Sequence, residues 1–104
     1  MPGINFEQLR NEITMAQVLD LIGFERTSRR GDQLRGACPV HGSQTARSRS
    51  FSVSLAHHRY YCHKCHSHGH PIELWAAVNK LPLYHAAIDL CRCVGREVPW
   101  VQRW

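Results

Sequence analysis

Cys38-Pro39-Val40-His41 and Cys62-His63-Lys64-Cys65 are the stretches best equipped for chemistry in this sequence. Each pair of terminal ligands has two intervening residues, and twenty residues separate the pairs. A tight turn lets both side chains of such a pair point at one ion about 2.0–2.3 Å away, and two such turns complete a tetrahedron. Three thiolates and one imidazole close that shell. No position is left for water, so one structural Zn2+ is expected from Cys38, His41, Cys62 and Cys65, and a catalytic metal is not. Five cysteines, an odd number, also speak for metal binding over a disulfide scaffold. Four further histidines, His63, His66, His68 and His70, compete with His41 for the fourth place. His63 and His66 adjoin Cys62 and Cys65, where the chain would have to fold back sharply. His68 and His70 flank Gly69 and reach more easily, or orient a ligand from behind. Cys91 falls on the apolar side of a late helical pattern with Tyr84 and Ile88 and reads as core, and Cys93 reads as exposed. A second zinc between Cys91, Cys93 and the histidines is the alternative.

The charge is unevenly placed. Residues 26–72 hold eight arginines and lysines against the single Asp32, a net +7 within a chain whose net charge is +5. All the histidines except His85 lie there too. Three thiolates with Zn2+ would lower the segment to about +6. Such a stretch suits a polyanion, or simply a solvated basic face. Single-strand binders combine cations for phosphates with aromatic faces for bases. Arg29, Arg30, Arg35, Arg59 and Lys64 are the candidate phosphate contacts, and Phe51 and Tyr60 the candidate stacking residues. Tyr60 and Tyr61 are consecutive in a strand pattern and must face opposite ways. Tyr60 is read as the outward one, because Cys62 on its side would then turn toward the metal. Phe51 alternates with Val53 and Leu55, which fits core packing as well as stacking.

The elements that must position these residues are legible in outline. Asn5 and Thr14 can each cap a helix, with Gln8 and Gln17 three residues on as capping-box partners. Met15, Val18, Leu19 and Ile22 step at helical spacing, and Gly23 is a natural stop. Helices are expected over 5–12 and 14–22. Arg29-Arg30-Gly31-Asp32 reads as a turn. Residues 33–38 can form a strand, and 50–55 alternate strictly between apolar residues and serine. Residues 56–58 turn the chain, and 59–62 pair back. Pro71 suits the first position of a helix running to Lys80, Leu81-Pro82 breaks it, and Leu83, Ala87, Leu90 and Val94 define a last helix ending at Gly95. The layout is α+β: a zinc ribbon on a small antiparallel β-sheet flanked by helices, in one domain spanning 1–104.

These pieces, in this order, resemble the N-terminal zinc-binding domain of bacterial DnaG-type DNA primases over about residues 5–95. The resemblance is carried by the two-helix start with Val18-Leu19-Asp20-Leu21-Ile22-Gly23-Phe24, Gly36 before Cys-Pro-x-His, and Ser50-Phe51 on the next strand. Tyr60-Tyr61 before Cys-x-x-Cys, and His68-Gly69-His70 leading into Pro71-Ile72-Glu73-Leu74-Trp75, complete it. It implies recognition of single-stranded template at the start of a primer, with polymerisation left to a separate metal-dependent domain. The sequence departs from the family at His66, His68 and His70, where glycines and small residues are usual. It departs again in the polar stretch from Gln44 to Arg49, longer than the family's connection.

The 104 residues offer no acidic cluster for magnesium. The expectation is therefore a stand-alone module, not catalytic by itself, that binds single-stranded DNA in replication beside a separate primase-polymerase or helicase. The alternative is a zinc-stabilised protein–protein adaptor using Trp75 and the Trp100/Trp104 tail. An enzyme could be built only on His57, His58, His66, His68 and His70. No Ser/His/Asp order, glycine-rich phosphate loop or paired carboxylates support one. No apolar run approaches the roughly 18–20 residues of a membrane span, and the first residues lack a basic-then-apolar leader, so a cytoplasmic protein is expected.

Overall fold

A computed structural model describes residues 3–40 and 50–101 of the chain. Helix α1 (Phe6–Glu12) starts where the Asn5 side chain accepts the Gln8 backbone N–H at 3.0 Å. Helix α2 (Met15–Leu21) starts on a complete capping box. Gln17 N–H donates to Thr14 Oγ1 at 3.2 Å, and Thr14 N–H donates to Gln17 Oε1 at 2.8 Å. Two of the otherwise orphaned N–H groups at that end are thus satisfied. At Asn5 the reciprocal half is missing, since the Gln8 amide reaches along the helix to Glu12.

The chain begins with a short strand β1 (Gly3–Ile4) that pairs antiparallel with the last one, β7 (Trp100–Val101). The middle forms an antiparallel sheet in the order β2 (Arg26–Arg30), β3 (Gln33–Gly36), β4 (Phe51–Ser54), β5 (Arg59–Cys62), β6 (His68–Gly69). Arg29-Arg30-Gly31-Asp32, read as a turn, is half strand. The chain reverses at Gly31-Asp32 alone, with Gly31 at φ +58°, the conformation a two-residue hairpin needs at its first central position. The strand expected over 33–38 ends at Gly36.

Helices α3 (Pro71–Asn79) and α4 (Leu83–Val94) follow, with Pro71 in the first turn and Gly95 at φ +74° as the stop. The Trp75 indole donates to Asp89 at 2.8 Å and ties α3 to α4, while Arg10 pairs with Glu73 at 3.0 Å and ties α1 to α3. Among the described residues no helix is long and apolar enough to cross a membrane.

The sheet has one inner face. Leu34, Phe51, Val53, Tyr60 and Cys62 are buried in one core with Leu9, Met15, Val18, Ile72, Leu74 and Leu90. Gly36 belongs to the same face, and the Phe24 ring occupies the space its side chain would take. A Cβ there would lie 2.9 Å from Phe24 Cζ. The turn between β4 and β5 is fastened to α2, where His58 Nδ1 accepts the Met15 backbone N–H at 3.1 Å.

Candidate functional site

Cys62 ends β5, and Cys38 lies two residues beyond the end of β3, the strand paired to the far side of β4. Strand pairing therefore brings their turns to one end of the sheet. The sulfurs of Cys38, Cys62 and Cys65 all lie within 4.8 Å of one another, with Cys38 and Cys65 3.9 Å apart. Two thiolates each about 2.3 Å from a tetrahedral ion sit about 3.8 Å apart. The Cys38–Cys65 pair already has that spacing, and the Cys62 sulfur lies close enough to both to share an ion with them.

The turn around Cys62 is built for a thiolate. Its sulfur accepts the backbone N–H groups of Lys64 and Cys65, both at 3.4 Å. Burial opposes the charged form. The N–H groups of Cys65 and Lys64, with the Cys65 and Cys38 thiols, outweigh it and hold the pKa down to about 6. His66 N–H donates to the Cys62 carbonyl at 2.9 Å, with His66 at φ +62°. His63 N–H donates to Ser50 O at 2.8 Å, fixing the turn to the start of β4.

His41, the expected fourth ligand, lies outside the described residues. The rings of His63, His66 and His68 surround Tyr61 instead of joining the thiol cluster. His70 Nδ1 lies 3.8 Å from the Glu73 carboxylate. Cys91 is buried in α4 among core side chains, where burial pushes its thiol up, and Cys93 is exposed. Cys91→Ser should leave the zinc content unchanged and lower stability by about 1–2 kcal/mol, because it buries a hydroxyl in place of a small apolar thiol. Metal analysis with a thermal melt checks both. Loss of zinc would place Cys91 in the coordination shell.

The outer face of the sheet carries the polar side of the strands. Arg35, Ser52, Tyr61 and His68 form one cross-strand row, and Gln33, Ser54 and Arg59 the next. Arg30 extends the second row through its pairing with Gln33. Lys64 is exposed on the Cys62–Cys65 turn. Arg29 pairs with Leu34 and belongs to the opposite face, where its Nε donates to Gly31 O at 2.9 Å.

Two aromatic assignments need correction. The sequence reading puts Tyr60 outside and Tyr61 inside; the structure reverses them, with Tyr60 4% exposed and Tyr61 38%. Tyr60 pairs with Val53 and Phe51 with Cys62, so Tyr60 and Cys62 share the inner face, and the Tyr60 hydroxyl is satisfied by Ser67 Oγ at 2.9 Å. Phe51 is fully buried, between the rings of Phe24 and Tyr60 at 5.3 and 5.5 Å, and offers no surface to a base. The aromatic residue presented by the outer face is Tyr61. The signal in the sequence is parity: Tyr60 points the same way as Cys62, and Cys62 is a buried member of the thiol cluster.

The fold and the thiol cluster define a zinc ribbon carried on an antiparallel sheet and flanked by helices. The chain belongs to the CHC2 zinc finger family, the zinc ribbon of DnaG, which matches residues 2–103. It is 32% identical over 82 residues, 78% of its length, to the DNA primase of Treponema pallidum. It is 31% identical over 92 residues, 88% of its length, to the DNA primase of Synechococcus elongatus. It spans 13% of the length of each of these relatives. Its structure matches the Aquifex aeolicus primase (zinc binding and RNA polymerase domains) with a TM-score of 0.71 at 24% identity, over 91% of this chain and 22% of that one. That match is one of fold. Family and thiol geometry together make the centre a zinc site.

Proposed function

We propose that Cys38, Cys62, Cys65 and His41 hold one structural zinc, and that the outer face of the sheet binds single-stranded DNA as template when a primer is begun. The catalytic step is left to a separate cytoplasmic primase-polymerase, with a helicase as a further partner. Zinc supplies a cross-link between two turns, and the protein's own residues do the binding. One observation carries the reading: Arg30, Arg35 and Arg59 share the outer face with the exposed Tyr61, beside the zinc-binding end of the sheet. The relatives named above are DNA primases, which supports a template as the polyanion.

Each phosphate neutralised on a single strand adds about −0.7 to the slope of log affinity against log salt. Three to four contacts, from Arg30, Arg35, Arg59 and Lys64, should give a slope of roughly −2 to −3. Affinity should be micromolar or weaker, since one small module makes few contacts. Arg59→Ala should weaken all sequences alike and make the slope shallower by somewhat under one unit. Fluorescence anisotropy over a salt series measures both. No binding at low salt, or a flat slope, would overturn this reading in favour of an adaptor docking through the exposed Trp100, whose ring lies 6.1 Å from Tyr84.

A further inference from the structure

Tyr61 is held in an unusual way for an exposed tyrosine. Its hydroxyl shares a hydrogen bond with His66 Nδ1 at 3.0 Å. The His63 ring meets it nearly edge-on, 66° between planes with centroids 4.9 Å apart. The His68 ring lies across the strand pair at 6.1 Å, tilted by 31°. His68 is itself fixed, with Nδ1 2.9 Å from the His66 carbonyl. Three contacts from three directions leave the ring little freedom, so a ligand that stacks on it loses little side-chain entropy.

The ring fronts a groove of about 420 Å³ along the outer face, whose lining includes Ser52, Ser54, Gln33, Arg59 and His68. Arg59 is two residues from Tyr61 on the same strand and face, roughly 6.6 Å along it, and Arg35 is two strands away in Tyr61's own row, about 9.5 Å across. Cations at those spacings suit phosphates flanking one extruded base. Hydroxyl and amide groups near the ring suit the edge of that base.

We infer that Tyr61 is the base-stacking residue of the sheet face, that it takes one unpaired nucleobase, and that His66 is the positioning residue that holds its ring. The inference rests on the single-strand reading above and names which side chain meets the base. His66 occupies a left-handed backbone position at φ +62°, which glycine adopts without strain. A histidine there spends backbone strain on a side chain, and the contact it gains is the one to Tyr61.

The test compares an ordinary single-stranded oligonucleotide with a fully abasic deoxyribose-phosphate strand of equal length. Both carry the same phosphates, and only the first has bases. The wild-type protein should prefer the ordinary strand by roughly 5- to 150-fold, the range for one stacked base. Tyr61→Ala should remove most of that preference and leave the salt slope unchanged, while Tyr61→Phe should keep an intermediate preference. His66→Gly should retain zinc and melt at an equal or higher temperature, yet lose preference toward the level of Tyr61→Ala. A purely structural role for His66 would lower the melting temperature instead. Equal affinity of the wild type for both strands, or full preference in Tyr61→Ala, overturns the inference while leaving phosphate binding intact. Full preference in His66→Gly overturns the positioning role. Absence of binding to either strand overturns the underlying single-strand reading itself.

Discussion

Removing zinc should unfold the domain. The three sulfurs come from two turns, and Cys38 and Cys65 are 27 residues apart in sequence. The site does not exist in the unfolded chain, so metal binding energy becomes folding energy, of order 10 kcal/mol or more. A domain of this size has a total stability of about 5–15 kcal/mol, so that contribution decides whether it folds. The Cys62 turn, which holds the thiol pKa down to about 6, favours the thiolate that zinc takes, but the sulfur–sulfur contacts cannot replace the metal cross-link. Elemental analysis should find one zinc per chain. A strong chelator should abolish the cooperative thermal transition, and Cys62→Ser should lose both metal and solubility. Two zincs per chain, or a metal-free protein that melts as before, would contradict this account.

Phe51→Ala is the second large effect. The ring is fully buried and touches Phe24 and Tyr60, and the backbone of Phe51 sits between Gly36 on one neighbouring strand and Cys62 on the other. Truncating a buried phenylalanine costs about 3–5 kcal/mol, partly transfer and partly cavity. The cavity opens beside a metal ligand, so zinc should also be surrendered at lower chelator concentration. Phe51→Leu should lose much less. In that variant single-strand affinity should stay at the wild-type value, because Phe51 has no exposed surface. Denaturant melts and anisotropy on the same samples separate the two quantities. Weaker DNA binding by a fully folded Phe51→Leu would return Phe51 to the interface.

Where local rules act alone, the sequence could be read. Thr14 and Gln17 cap α2 because their spacing is sufficient for the motif, and Phe51 and Val53 alternate with serine because one face of β4 is buried. The three cysteines were legible because metal geometry constrains spacing. β2 was not, since Arg26 to Arg30 is exposed or half-exposed throughout and has no apolar face to reveal a period of two. The two-residue strands β1, β6 and β7 are too short to carry any pattern and exist only through their partners. The choice between Tyr60 and Tyr61 failed for another reason. Two adjacent tyrosines look alike locally, and the parity that Tyr60 shares with Cys62 decides between them only with Cys62 placed on the inner face, where its pairing with Phe51 puts it.

The pairing of β1 with β7 bears on how the domain responds to pulling. Gly3 faces Val101 and Ile4 faces Trp100, with Asn5 N–H donating to Pro99 O at 2.8 Å just inside. The outermost rung therefore lies where both ends of the ladder leave it. Tension transmitted through the flanking chain would load these bonds one after another, as a zip opens, and not all together. Such a ladder yields at low force, and the local unfolding it permits need not reach the five-stranded sheet. The domain can thus let out a little slack under mechanical load while its zinc-bearing end keeps its shape.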